Sequence, residues 1–252
     1  MGSRKPKAAP VRHSDQWQPT KVRLSGSGRP RVPGRRGALA PGSTGVALML
    51  ARWYATMLPR YAHGTLLDLG CGEVPYYQLY RAHVREILCT DWTKSLHATT
   101  HLDFVSDLET HVPLADASVD TVILADVLEH VYQPKHVIAE IYRILRPGGV
   151  AFIHAPLLYV VHEAPHDYFR YTQFGMSRMA EEVGFTIESL TPLGGKFIAL
   201  ADLLGKLLQG ASLIAGALWA RGLQRIALAV SADPPVSKKF PIEIAAVLRR
   251  VS

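Results

Sequence analysis

The chain is poor in cysteine, in long apolar runs and, near its N-terminus, in acidic residues. Two cysteines in 252 residues cannot build a disulfide framework or a cysteine-rich zinc cluster. Cys71 and Cys89 both lie in apolar, strand-like stretches, so buried thiols in a reducing cytoplasm are expected. The most apolar region, 196–230, holds an uncharged run of only 14 residues between Lys206 and Arg221. A bilayer span needs roughly 18–20. The N-terminus has no apolar h-region, which excludes a secretory signal of the usual kind. Pro6 stands where a myristoylation signal needs Ser or Thr.

Acidic residues are almost missing from residues 1–40, where ten Lys/Arg face Asp15 alone, a net +9. The rest of the chain carries 18 Lys/Arg and 20 Asp/Glu, a net −2. The basicity therefore belongs to the tail. Such an arm can meet nucleic acid or anionic lipid, and its Arg-rich composition also resembles an organellar transit peptide. Residues 1–43 are rich in Pro, Gly, Ser and Arg without a hydrophobic period, so a mostly disordered basic tail is expected. Residues 44–252 are expected to form the folded domain.

Within that domain helix and strand patterns alternate. Residues 44–62 read as a helix, Leu66–Gly70 as a strand, Tyr76–His83 as a helix and Glu86–Asp91 as a strand. A short strand near Leu102–Val105 follows, then an apolar strand at Thr121–Ala125 and a helix at Pro134–Leu145. Pro147-Gly148-Gly149 reads as a turn before a strand at Val150–His154. Thr172 can cap a helix that Gly184 ends, with a strand from Phe185 to Leu190. Residues 196–230 carry leucines at helical spacing and predict an amphipathic helix or helical hairpin, available to cover a site, to form a homodimer or to lie on a membrane surface. Ile242–Leu248 is the last strand. The alternation implies an α/β fold with a mostly parallel sheet covered on both faces.

Asp68-Leu69-Gly70-Cys71-Gly72 places flexible backbone at the carboxyl edge of the first strand, where ligands bind. A dinucleotide enzyme would continue to a third glycine. Here Glu73, Val74 and Pro75 follow, and an acidic side chain beside the turn disfavours a pyrophosphate and hence a nicotinamide dehydrogenase. S-adenosylmethionine has no phosphate, and its sulfonium tolerates acidic neighbours. Asp91 ends the next strand, about twenty residues on, where a carboxylate can accept both ribose hydroxyls. Asp107 suits an adenine amino group or, equally, the N-cap of a helix over Leu108–His111.

Five motifs in order carry a resemblance to the class I S-adenosylmethionine-dependent methyltransferases. They are Leu66–Gly72, Asp91, Asp107, Asp120–Val131 and Arg143–Gly149. The resemblance covers roughly residues 64–192. It implies a Rossmann-like seven-stranded sheet whose last strand is antiparallel, with a helical insertion before that strand. It also implies S-adenosyl-L-methionine as cofactor, held by Asp68, Gly70 and Gly72 at the methionine part, Asp91 at the ribose and Asp107 at the adenine, with Cys71, Trp92, Leu108, Ala125 and Asp126 as further cofactor contacts. His162, Pro165, Asp167, Tyr168, Arg170, Tyr171 and Thr172 resemble the His-x-x-Pro-x-Asp-Tyr-x-Arg-Tyr-Thr segment of a bacterial subgroup of type 11 methyltransferases. Val119, where that subgroup usually has Phe, and the long basic tail depart from it.

Methyl transfer is an in-line displacement, so the enzyme chiefly aligns its reactants. A hydroxyl acceptor also needs a proton acceptor. His130, just past the fourth strand, is the first candidate, with Glu129 beside it and His154 as rival. His162, His166, Tyr168, Arg170 and Tyr171 are the candidate acceptor contacts. His162 and His166 have a ligand-like spacing, but Pro165 between them disfavours a helix, so no metal is expected. The expected activity is O-methylation of a small molecule or glycan by a cytoplasmic protein, peripheral at a membrane through 196–230. The competing readings are an RNA methyltransferase using the tail, which the slightly acidic body disfavours, and a non-catalytic partner-binding subunit. Asp233-Pro234-Pro235 lies too far along the chain to be the signature of an amino-group methyltransferase.

Overall fold

In a computed structural model the described residues are 22–32, 43–95, 102–211, 215–231 and 235–251. The first of these segments was expected to be disordered. It instead forms a two-stranded antiparallel ribbon, β1 (Arg23–Leu24) with β2 (Pro30–Arg31). Val22 is fully buried, and the Leu24 amide donates to Gln78 Oε1 at 3.0 Å. One apolar side chain and one backbone bond dock this piece of the tail on the body. Residues 1–21 and 33–42 of the expected tail, with Asp233 and Pro234, lie outside the described residues.

The core is a seven-stranded sheet. In chain order its strands are β3 (Thr65–Leu69), β4 (Glu86–Asp91), β5 (Phe104–Val105), β6 (Val119–Ala125), β7 (Leu145–Pro156), β8 (Phe185–Gly194) and β9 (Pro241–Arg250). Their spatial order is β5-β4-β3-β6-β7-β9-β8. The pairs from β5 across to β7 are parallel. β9 slots antiparallel between β7 and β8. The fold is the expected Rossmann-like sheet, with the antiparallel strand last in the chain and second from the edge.

A parallel strand buried on both faces needs a near-continuous apolar sequence, and every residue of β3 is buried. One face carries α1 (Thr44–Tyr61) and α2 (Tyr77–Tyr80), the other α3 (Pro134–Ile144) and α4 (Gln173–Val183). The sequence predicts a helix over Tyr76–His83; only Tyr77–Tyr80 is helical, and turns continue to His83. Pro147-Gly148-Gly149 does not interrupt the strand as expected, because β7 runs through it from Leu145 to Pro156. Thr172 caps α4 by accepting from the Gly175 amide at 3.2 Å, and Gly184 ends the helix in the left-handed conformation.

Residues 196–230 form a hairpin of α5 (Lys196–Ala211) and α6 (Ala215–Ala229). Ile198, Ala201, Ala227 and Leu228 join the core beside α1. Phe197, Leu200, Leu203, Leu204 and Leu207 are exposed along α5. No helix of the described residues is long and apolar enough to cross a membrane.

Candidate active site

The carboxyl ends of β3, β4, β6 and β7 open onto a cavity of about 940 Å³. Parallel strands put their carboxyl ends on one edge, so loops remote in sequence meet there. Asp68, Gly70, Cys71, Gly72, Asp91, Trp92, Asp107, Leu108, Ala125 and Asp126 all line it. So do Glu129, His130, His162, His166 and Tyr168.

At one end the chain presents its turn. Gly70 has φ +71°, and a Cβ there would meet Val127 Cγ2 at 2.6 Å. Glycine is required twice, by conformation and by space. Asp91 ties this turn to the next strand: Oδ2 accepts from the Gly72 amide at 3.0 Å and from Ser95 Oγ at 3.1 Å, and Oδ1 accepts from the Trp92 amide at 2.8 Å. Asp68 is buried and accepts from Tyr80 Oη at 2.8 Å. Burial pushes its carboxyl up to about 7 despite that bond, with Asp91 adding to the rise. Asp107 caps no helix, because Leu108–His111 forms only a turn; it accepts from the Glu109 amide at 3.0 Å, and its side chain lines the cavity.

At the other end stand side chains from two segments. Leu128–His130 is a single 3-10 turn after β6. The loop 157–172 folds back on it: the Tyr168 amide donates to Glu129 O at 2.8 Å, and Tyr171 Oη donates to Leu128 O at 2.9 Å. His130 Nδ1 lies 2.6 Å from His166 O. His130 Nε2 lies 3.1 Å from His162 Nε2. Glu129 Oε1 is 3.7 Å from the first of these nitrogens and 3.9 Å from the second. Burial, with the nearby Asp126 carboxylate, pushes the Glu129 carboxyl well above its ordinary range.

Three expected site residues fall elsewhere. Arg170 does not line the cavity; it grips Asp167, with Nη2 to Oδ2 at 2.8 Å. That contact holds the Asp167 carboxyl well below the usual range, and Asp167 in turn accepts from the His162 amide at 2.9 Å. Tyr171 is buried and turned toward the 3-10 segment. His154 is fully buried beneath the cavity, its Nδ1 3.0 Å from Asp126 Oδ1 and 3.9 Å from Glu243 Oε2. Burial opposes its charge, but the two carboxylates outweigh it and raise the imidazole to about 10. These residues shape the site from behind.

Glu243 is the functional-site candidate the sequence reading missed. It is buried on β9, lines the cavity, and burial raises its carboxyl to about 7. The signal was present as the one charge in the apolar run Ile242–Leu248. Tyr159 was missed too; it lines the cavity beside His162, with Lys206 Nζ of α5 3.6 Å above its ring. The helix α5 thereby braces the loop 157–172.

Among the described residues the lining holds nine carboxyl groups, those of Asp68, Glu73, Asp91, Asp107, Glu109, Asp126, Glu129, Glu163 and Glu243, against one lysine, Lys94. It suits a cation and opposes phosphate. The absent Cβ at Gly70 and the acidic lining both fit S-adenosylmethionine, a sulfonium without phosphate.

The comparisons with known proteins agree. Residues 67–153 match the methyltransferase domain family. Over 99 residues the chain is 38% identical to thiol S-methyltransferase TMT1B of Homo sapiens, covering 34% of this chain and 40% of that protein. Over 108 residues it is 31% identical to a "Probable S-adenosylmethionine-dependent methyltransferase" of Mycolicibacterium smegmatis, covering 41% and 42%. The matched region thus spans about two fifths of each relative. A SAM dependent methyltransferase structure from Archaeoglobus fulgidus superposes with a TM-score of 0.51 at 14% identity, over 81% of this chain and 92% of that one. Residues 67–153 are thus similar to the methyltransferase domain family, and the fold that holds them is the one seen in solved S-adenosylmethionine-dependent methyltransferases.

Proposed function

We propose that the chain is an enzyme that moves the methyl group of S-adenosyl-L-methionine to an uncharged or cationic small acceptor, most simply a hydroxyl of a glycan-type or other small molecule. One observation carries this reading. The glycine turn with Asp91 and the Glu129–His130–His162 group line the same cavity. When bound, the cofactor supplies an electrophilic methyl group on sulfur.

Asp68, Gly70, Cys71 and Gly72 hold the methionine part, Asp91 and Trp92 the ribose, Asp107 and Leu108 the adenine, and Ala125 and Asp126 the adjoining wall. His162, His166 and Tyr168 face the acceptor. If the His130 Nδ1 proton is committed to His166 O, its Nε2 is left as a lone pair at the cavity. That atom can take the proton of an acceptor hydroxyl. Glu129 orients the pair from below.

Arg170 is spent on Asp167 and does not itself recognise an acidic acceptor. The nine carboxylates also disfavour RNA as acceptor. Thiols form a second reading, favoured by the likeness to the human thiol S-methyltransferase. The exposed leucines of α5 are the proposed surface for peripheral membrane contact, checked by co-sedimentation with lipid vesicles.

The test has two stages. Calorimetry with S-adenosylhomocysteine should show one site; absence of binding sinks the reading and leaves a non-catalytic subunit. Labelled methyl donor with matched alcohols, phenols, sugars and thiols should then label hydroxyl acceptors, and labelling of thiols alone would move the acceptor atom to sulfur.

A further inference from the structure

Glu129, His130 and His162 are more than a proton-accepting group. Their ligand atoms lie 3.1, 3.7 and 3.9 Å apart. Three donors on one ion at 2.0–2.2 Å, in tetrahedral arrangement, stand about 3.3 Å from one another. The spacing is that of a three-ligand site slightly opened.

The hydrogen bonds behind the ligands point the same way. His130 Nδ1 faces a carbonyl, His166 O, at 2.6 Å. It carries the proton, and Nε2 carries a lone pair. His162 Nδ1 makes no hydrogen bond but lies 3.5 Å from Asp167 Oδ2, and that carboxylate favours the proton on Nδ1. The two Nε2 lone pairs then confront each other with no hydrogen between them, and Glu129 Oε1 adds a third acceptor. Glu129 Oε2, buried, has no hydrogen-bond partner. A proton on Glu129 or between the histidines, or a cation held by all three atoms, would relieve that repulsion. Imidazoles backed by a carbonyl and a carboxylate are the arrangement in which metal-binding histidines are usually oriented.

We propose that Glu129, His130 and His162 bind a divalent transition-metal ion of the zinc type at the acceptor end of the cavity. Two imidazoles and one carboxylate favour such an ion over magnesium or calcium, which prefer oxygen. All three residues line the cavity, so the ion keeps a coordination position open to it. The site stands on this geometry alone. Its role, binding the acceptor's oxygen or sulfur as a Lewis acid while the acceptor's proton leaves to solvent, rests on the methyl-transfer reading. The ion then occupies the lone pair that would otherwise take that proton.

Chelator-treated full-length protein is titrated with Zn2+ against a chromogenic competitor, and with Co2+ followed by visible absorption. The expected result is one tight equivalent that 5 mM Mg2+, a concentration of roughly physiological order, does not displace. Glu129→Gln and His162→Ala should each weaken Zn2+ binding roughly 100-fold. His136→Ala, half-buried on α3 and outside the cavity lining, should not. Intense Co2+ bands of low coordination support the site even if a variant misfolds. Equal Zn2+ affinity in wild type and folded variants, or a Co2+ spectrum indistinguishable from the aquo ion, overturns it and leaves a shared proton between the histidines. Calorimetry with S-adenosylhomocysteine on the metal-free protein separates the two readings. Retained cofactor binding without a zinc site removes the ion alone; a zinc site without cofactor binding removes the methyl-transfer reading alone.

Discussion

The two ends of the cavity are made of different material. At the cofactor end the chain presents backbone, and Gly70, Gly72 and Asp91 come from two adjacent parallel strands. At the acceptor end it presents side chains, from the 3-10 turn after β6, the loop after β7 and the antiparallel β9. A backbone site tolerates little change at its glycines and is indifferent to most other side chains. A side-chain site has the opposite sensitivities, and it depends on how separate segments are clamped together.

The largest effect expected at the cofactor end is that of Asp91→Ala. It removes the candidate ribose acceptor and the anchor of the Gly72 amide together. Two charge-assisted hydrogen bonds contribute about 3 kcal/mol or more, so cofactor affinity should fall at least about 100-fold by calorimetry. Unchanged affinity would dissolve the contrast between the two ends.

At the acceptor end His130→Ala should lower turnover roughly 100- to 10,000-fold while cofactor affinity changes less than about threefold. Parallel loss of both in steady-state and binding measurements would show the two ends to be one unit.

Gly70→Ala sharpens the distinction within the turn. The added Cβ meets Val127, so the double variant Gly70→Ala with Val127→Ala should recover part of the lost affinity. Recovery should stay incomplete, because the positive φ still disfavours Ala by about 1 kcal/mol. Full recovery would make the requirement purely one of space.

The smallest effect is that of pH. Asp68 titrates at about 7, and a cationic ligand favours its ionised form. Cofactor affinity should therefore rise several-fold between pH 6 and 8, and Asp68→Asn should flatten the rise. Stability of the ligand-free protein should move the other way. Asp68 and Glu243, both raised to about 7, hold their protons to higher pH folded than unfolded. Their contribution is full below about pH 4 and is lost as pH climbs to about 7. His154, raised to about 10, contributes fully below about 6.5 and loses that contribution as pH rises through 10. Melting temperatures across this range should fall, and Glu243→Gln should remove part of the fall between pH 4 and 7.

The same contrast explains what could be read beforehand. Gly70, Gly72 and Asp91 act through local conformation and strand ends, and both leave marks in a short window of sequence. The order of strand and helix followed from apolar periodicity. The acceptor end depends on which way a loop side chain turns. Tyr168 and Arg170 look equally available in the sequence, yet Arg170 turns to Asp167 and Tyr168 to the cavity. His154 looked like a base at a strand end, but burial beneath Asp126 and Glu243 removes it from any acceptor. The ribbon around Val22 was illegible because two-residue strands have no period to detect.

Glu243 reaches the cavity on β9, which pairs with β7 on one side and β8 on the other. During synthesis this strand follows every other strand of the sheet out of the ribosome. A nascent chain can close the glycine turn and pair β3 with β4 long before β9 emerges. Until then β8 has no neighbour to join it to the sheet, and the cavity floor lacks its carboxylate. The order of translation thus withholds a finished cavity floor until the last strand of the sheet is made, whatever the early state of the glycine turn.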